Sequence, residues 1–128
     1  MSLKDTLRVM IVDDMSVSRH LIERAIDEIG IRNVQTEADP VVALGKIVAN
    51  PAHLVISDMN MPGMSGLQML GNLRQNKTTQ RIAFILITGT PSPEVIREGQ
   101  ALGMNNLVKK PFTTETLKAS IERVVGRL

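Results

Sequence analysis

The alternation of short strand-like runs with longer helical stretches is the feature that most constrains the fold of this chain. Five runs are predicted as strands, at 8–12, 33–38, 53–57, 83–88 and 106–110. Each is followed by a segment with helical features. Strands that alternate with helices form a parallel sheet, joined by right-handed crossovers. The predicted fold class is therefore α/β, a doubly wound five-stranded parallel sheet with helices on both faces.

Two of the predicted helices begin at recognisable capping residues. Asp39 followed by Pro40 is an N-cap with proline at the first helical position, which predicts a helix from there to about residue 49. Ser16 or Ser18 is predicted to cap the first long helix, and Gly30 is predicted to end it.

Composition limits the classes of protein to which the chain can belong. The 128 residues suit one domain over 1–128, with 1–7 predicted as a loose lead-in. The absence of Cys excludes disulfides and thiolate metal sites, and the two His residues are not at ligand spacing. Scattered Lys and Arg residues, nearly balanced by acids, and the absence of Trp and Tyr argue against direct nucleic-acid binding.

The expected location is the cytoplasm, and no membrane association is expected. No apolar run approaches the length of a membrane span, and the N-terminus has no secretory signal pattern. Nothing in the sequence demands a dimer, so a monomer is expected.

Polar residues follow the predicted strands at their carboxyl ends, where open α/β sheets bind ligands. Asp13 and Asp14 follow the first strand and Asp58 ends the third, while Thr88 and Lys110 end the fourth and fifth. Three carboxylates in one cleft repel each other unless a proton or a cation enters. Oxygen ligands without thiolate or imidazole favour Mg²⁺, for which Mn²⁺ can substitute.

Such a site is suited to phosphoryl transfer. A carboxylate can act as the nucleophile and form an acyl phosphate, and Asp58, alone on a central strand, is the best candidate. Asp13 and Asp14, as paired acids, are better metal holders. Lys110 and Thr88 can neutralise and hydrogen-bond the phosphoryl oxygens.

Four segments of the sequence resemble the receiver domain of two-component response regulators: "IVDD", "ISDMNMPGMSG", "LITG" and "KKPF", each at a predicted strand end. The resemblance covers nearly the whole chain and is greatest to stand-alone chemotaxis regulators of this family. It implies a flavodoxin-like (βα)5 fold with strand order 2-1-3-4-5. It also implies that Asp58 accepts a phosphoryl group from a phosphohistidine of a chemotaxis-type sensor histidine kinase.

The resemblance assigns a role to each polar residue at the metal site. Asp14 and Asp58 match direct Mg²⁺ ligands, and Asp13 matches the acid that holds a metal-bound water. Asn60 matches the residue whose backbone carbonyl reaches the metal.

The remaining matches concern the phosphate and the switch. Lys110 matches the phosphate-binding lysine, whose bond to Pro111 is often cis in the family. Thr88 matches the hydroxyl that moves toward the phosphate. The family often has Tyr or Phe three residues before the lysine, and this chain has Leu107 there. An aromatic switch therefore cannot operate, and the size of the conformational change is in question.

The implied function is a phosphorylation-dependent signalling protein and not a dedicated enzyme, although it catalyses its own phosphorylation and slow dephosphorylation. Its implied partners are the kinase, a flagellar motor switch protein and a phosphatase. A phosphate sink that drains the kinase is the alternative within the family. A phosphohydrolase with an Asp nucleophile is disfavoured because Asn60 occupies the position of the second acid. A flavin-nucleotide binder is disfavoured because the first strand ends in acids that repel phosphate.

Overall fold

One five-stranded parallel sheet forms the centre of the protein, whose computed structural model describes residues 2–128. The strands are β1 Arg8–Val12, β2 Asn33–Glu37, β3 Leu54–Asp58, β4 Ala83–Thr88 and β5 Asn106–Lys109. Their spatial order is β2-β1-β3-β4-β5, and every neighbouring pair is parallel. The predicted fold class and strand order are confirmed. The order places β1 and β3, the two strands that end in acids, side by side.

The helices lie on both faces of this sheet, as predicted. They are α1 Leu3–Thr6, α2 Ser16–Ile29, α3 Pro40–Ala49, α4 Gly66–Gln75, α5 Pro93–Ala101 and α6 Thr114–Val125. Of the segment 1–7, residue 1 lies outside the described residues, and α1 forms a single turn ahead of the buried Leu7. The longest helix within residues 2–128 has 14 residues, so none of the described helices could span a membrane.

Two apolar cores, one on each face, hold the layers together. The first core joins α2 and α6 to the sheet through residues such as Ile26, Ile56 and Ile121. The second joins α3 and α4 to the other face and includes Ile47 and Phe84. Successive strand residues point to opposite faces, so a strand covered on both sides is apolar throughout. The fully buried β3 fits this rule until it reaches its polar end at 57–58.

The first turns of α2 and α3 differ in which side chains accept hydrogen bonds from their backbone N–H groups. Asp39 caps α3 as predicted, because its Oδ1 accepts hydrogen bonds from the N–H groups of Val41 and Val42 at 2.9 and 3.4 Å. The prediction that Ser16 or Ser18 caps α2 is wrong. The N-cap is Met15, which makes no side-chain cap bond. The chain enters α2 directly after the acids of β1, and Asp13 Oδ1 accepts the hydrogen bond from Met15 N–H at 3.0 Å.

Candidate functional site

Three carboxylates meet at the carboxyl edge of the sheet. Asp13 and Asp14 follow β1, Asp58 ends the neighbouring β3, and one carboxylate oxygen of each lies within 4.8 Å of those of the other two. Asp13 is fully buried and Asp58 is 8% exposed. Because parallel strands deliver their carboxyl ends to one edge, residues that are more than 40 positions apart in sequence become neighbours. The predicted convergence of these acids is observed.

Lys110 brings a positive charge into this acidic cluster. It follows β5, and its Nζ donates a hydrogen bond to Asp58 Oδ1 at 2.9 Å and lies 3.8 Å from Asp13 Oδ2. The ammonium also donates to Ser18 Oγ at 2.9 Å. One ammonium opposes three carboxylates, so the formal charge of the cluster remains negative. The bond that joins Lys110 to Pro111 is cis, as the resemblance implied.

Two buried carboxylate oxygens in the cluster have unused acceptor capacity. Asp13 Oδ2 and Asp14 Oδ1 make no hydrogen bond with any residue from 2 to 128. A buried polar atom without a partner is costly, and an ion can supply the missing interaction. Carboxylate oxygens are the ligands that Mg²⁺ and Mn²⁺ prefer. The donor set therefore fits a hard divalent cation held by Asp13, Asp14 and Asp58.

A fourth acid at the same edge is already engaged elsewhere. Glu37, at the end of β2, pairs with Lys46 at 2.7 Å and accepts hydrogen bonds from the backbone N–H groups of Ala38 and Asp39. The hydrogen bond from the Lys46 ammonium is the main reason that the pKa of Glu37 is below its usual value. The hydrogen bonds from the two backbone N–H groups lower it further. Glu37 is thus an anion with its own counter-charge, which sets it apart from the three clustered acids.

Thr88 and Asn60 lie at the same edge but in different surroundings. Thr88 ends β4 next to β3 and is 2% exposed, and its hydroxyl accepts a long hydrogen bond from Thr90 N–H at 3.4 Å. Asn60 is exposed in the loop two residues after Asp58. Thr88 is therefore a buried hydroxyl on the strand next to the one that ends in Asp58. The carbonyl ligand at Asn60 stays a prediction.

Three further residues shape the site and were not assigned to it from the sequence. Ser18 binds the Lys110 ammonium, and Arg19 donates a hydrogen bond from Nη1 to the Asp13 carbonyl at 2.9 Å. Gly66, the first residue of α4, lies so close to β3 that a Cβ there would overlap the Asp58 carbonyl oxygen. The sequence signal for Gly66 was its place as the last residue of the segment "ISDMNMPGMSG", at the start of α4, where glycine is a poor helix former.

Leu107 stands where the resemblance implies an aromatic residue. It lies on β5, is half-buried and packs against the second core, the one that contains α4. An aliphatic side chain there has no hydroxyl to present to a partner and no ring to swing between two positions.

Comparison with known proteins places the site in a family. Residues 9–122 match the family model of the response regulator receiver domain. The probable chemotaxis protein CheY of Rhizobium etli is 38% identical over 128 residues, which cover 100% of this chain and 99% of the relative. CheY-3 of Vibrio cholerae is 32% identical over 126 residues, covering 98% of this chain and 97% of that protein.

Solved structures agree with this match. Chemotaxis protein CheY4 of Vibrio cholerae superposes with a TM-score of 0.86 at 32% identity, covering 93% of this chain and 98% of that one. The receiver domain of a Pseudomonas aeruginosa sensor histidine kinase, solved with a magnesium ion coordinated in its active-site cleft, gives 0.84 at 22% identity, covering 94% of this chain and 98% of that one. At that identity the likeness shows the fold alone. The chain belongs to the response regulator receiver domain family, as a receiver of the CheY chemotaxis type.

Proposed function

We propose that the protein is a phosphoacceptor that takes a phosphoryl group onto Asp58 from a phosphohistidine of a sensor histidine kinase. The observation that carries this proposal is the Lys110 ammonium, 2.9 Å from the Asp58 carboxylate inside a cluster of three acids. This arrangement sets a nucleophile beside a cation that can bind the phosphoryl oxygens. Positioning and charge neutralisation are the main requirements of phosphoryl transfer.

The transfer needs no proton movement at the acceptor, because Asp58 reacts as a carboxylate. One carboxylate oxygen forms the new O–P bond, and the P–N bond of the donor breaks with its electron pair returning to the imidazole nitrogen. The product is an acyl phosphate on Asp58. Lys110 then offsets part of the charge that the phosphoryl group brings, and Thr88 lies on the neighbouring strand where its hydroxyl can donate to a phosphoryl oxygen.

Asp13, Asp14 and Asp58 would hold Mg²⁺, and Mn²⁺ could replace it. A divalent cation in this position offsets the repulsion among the carboxylates and stabilises the negative charge of a transferring phosphoryl group. The two oxygens of Asp13 and Asp14 that lack hydrogen-bond partners among residues 2–128 support this assignment.

Addition of Mg²⁺ is expected to raise the melting temperature of the wild-type protein. A ligand present at about 100 times its Kd stabilises the folded state by about 2.7 kcal/mol. In a domain of this size each kcal/mol corresponds to about 4 °C. Thermal unfolding with and without saturating MgCl₂ measures the effect. Asp14→Asn should lose most of the increase, while Asp27→Asn, an exposed acid on α2, should keep it. An equal increase in both variants would contradict the assigned ligands.

The output of the proposed signal is binding to a flagellar motor switch protein. The names of the curated relatives, which are chemotaxis proteins, support this pathway. The output surface would be formed by α5, β5 and α6, because Thr88 and Lys110 border these elements. Phosphorylation would change the surroundings of both residues and hence the affinity of this surface.

Lys110→Ala is expected to weaken the switch and to slow phosphorylation without abolishing it. Some phosphorylation should remain, because the carboxylate nucleophile is intact, whereas the phosphorylated variant loses the cation that links the phosphate to β5. Affinity for the motor switch protein, measured by titration before and after phosphorylation, should increase less than in the wild type. The same increase as in the wild type would contradict the role given to Lys110.

A phosphate sink is the second candidate, and Leu107 is the observation that favours it. Without an aromatic residue on β5, the domain can accept phosphoryl groups while the surface formed by α5, β5 and α6 changes little in conformation. The titration with the motor switch protein separates the two functions, since only a signalling protein gains affinity upon phosphorylation. Neither function is that of a dedicated enzyme, and multiple-turnover hydrolysis of an added phosphomonoester would contradict both.

A further inference from the structure

The Lys110 ammonium is held by acceptors from two separate parts of the chain. Its hydrogen bonds to Asp58 Oδ1 and to Ser18 Oγ have the same length, 2.9 Å. Asp58 ends β3, whereas Ser18 lies in the first turn of α2, 92 positions from Lys110. A lysine side chain has a flexible four-carbon stem and loses much rotamer entropy when it is fixed. Two acceptors on different elements define the position of Nζ better than one can.

The hydroxyl of Ser18 is available for this contact because α2 does not use it as a cap. The N-cap is Met15, and Asp13 supplies the acceptor for its N–H group. Serine in the first turn of a helix commonly bonds to the local backbone. Here its Oγ accepts from a side chain of the loop that follows β5. This hydrogen bond therefore connects the first turn of α2 to the loop after β5, next to the acidic cluster.

A neutral acceptor suits this position better than a charged one. An ammonium group has three N–H donors, and among the described residues Ser18 and Asp58 accept two of them. The third donor is left for an oxygen of an incoming phosphoryl group. A carboxylate in place of Ser18 would compete with Asp58 and with the phosphoryl group for the same positive charge, whereas a hydroxyl orients the ammonium without neutralising it.

We propose that Ser18 is a positioning residue for phosphoryl transfer, whose hydroxyl fixes the Lys110 ammonium against Asp58. The inference rests on the proposed role of Lys110 as the phosphate-binding cation. Without the hydroxyl, the Lys110 side chain, which is 28% exposed, is free to turn toward solvent. The nucleophile and the acids remain in place, so the loss falls on the charge neutralisation that Lys110 supplies.

A double-mutant cycle between Ser18 and Lys110 tests the proposal. The rate of phosphorylation by acetyl phosphate is measured for the wild type, Ser18→Ala, Lys110→Ala and the double variant. A hydrogen bond to a charged group is strong enough that Ser18→Ala should slow phosphorylation about tenfold. In the Lys110→Ala background the same change should have almost no effect, since the hydroxyl then has no ammonium to hold. Ser18→Thr, which keeps a hydroxyl, should restore most of the rate.

The exposed Ser16 provides the matched control. Ser16→Ala makes the same substitution in the same helical turn and should leave the rate unchanged. A second measurement follows the Lys110 ammonium itself by NMR of protein labelled with ¹⁵N-lysine and free of divalent ions. Its proton signal should be protected from exchange with water in the wild type and in Ser16→Ala. The protected signal should be lost in Ser18→Ala.

Two results would overturn the inference. One is that Ser18→Ala slows phosphorylation as much without Lys110 as with it. The other is that Ser18→Ala and Ser16→Ala have the same phosphorylation rate and the same protected ammonium signal, while Lys110→Ala is phosphorylated slowly. That result would reject the role of Ser18 and keep the role of Lys110. If Lys110→Ala itself phosphorylates at the wild-type rate, the proposed role of Lys110 fails together with the inference.

Discussion

Asp58→Asn is expected to abolish phosphorylation by acetyl phosphate. The amide is nearly isosteric with the carboxylate and can still accept a hydrogen bond from Lys110, so the surroundings of residue 58 are preserved. An amide oxygen is a poor nucleophile toward phosphorus, and an acyl phosphate cannot form. The measurement is incorporation of phosphate that hydroxylamine releases, which distinguishes an acyl phosphate from phosphoserine and phosphothreonine.

Asp27→Asn supplies the control, because Asp27 is an exposed acid on α2 outside the cluster. This variant should be phosphorylated at the wild-type rate. Continued hydroxylamine-labile labelling of Asp58→Asn would mean that another acid accepts the phosphoryl group. Asp13 and Asp14 would be the first residues to examine in that case.

Gly66→Ala is expected to destabilise the protein strongly and to impair phosphorylation. A Cβ at residue 66 would overlap the Asp58 carbonyl oxygen, a backbone atom, and would press on Leu86 Cδ1 at 2.8 Å. Relief of this overlap requires α4 to shift away from the sheet or the backbone of Asp58 to move. Overpacking of this kind costs about 3 kcal/mol. Urea unfolding measures the loss of stability, and acetyl phosphate labelling measures the loss of phosphorylation.

Gly45→Ala is the matched control, with an effect of opposite sign. Gly45 lies within α3 and is exposed. Apart from its chain neighbours and the local helix backbone, a Cβ there would meet no atom of the described residues within 4 Å. Alanine is the better helix former, so this change should stabilise the protein by about 0.5–1 kcal/mol. Without a clash Gly66→Ala would also be stabilising, since Gly66 begins a helix with an ordinary backbone conformation. A stabilised Gly66→Ala protein would therefore show that the close packing of α4 on the Asp58 backbone is wrong.

The elements of the fold were predictable because each carries a local signal. The apolar run at 83–88 has the same bounds in the structure, and the helix predicted from Pro40 to about residue 49 spans Pro40–Ala49. The cap at Asp39 was confirmed. An N-cap residue followed by proline at the first helical position is a local signal for a helix start. The wrong prediction concerned the start of α2, where a tertiary contact decides the outcome. Ser18 has the right chemistry for a cap, but its hydroxyl accepts a hydrogen bond from Lys110.

The convergence of the acids was also predictable, because it follows from topology. Parallel strands end at one edge, and β1 and β3 are neighbours. Contacts between side chains from distant segments were not predictable. No periodicity or spacing relates Ser18 to Lys110, and the need for glycine at residue 66 depends on how closely α4 approaches β3. The roles of Thr88 and Asn60 stay predictions, because they concern a phosphorylated and metal-bound state.

The most direct test of the central claim is to locate the phosphoryl group chemically. The protein is incubated with acetyl phosphate and Mg²⁺, and the acyl phosphate is trapped by borohydride, which reduces the modified aspartate to homoserine. Peptide mass spectrometry then identifies the reduced residue. Homoserine is expected at position 58 in the wild type when Mg²⁺ is present, and none is expected when a chelator has removed it. Reduction at any other acid, or equal labelling without divalent ions, would contradict a metal-dependent acceptor at Asp58.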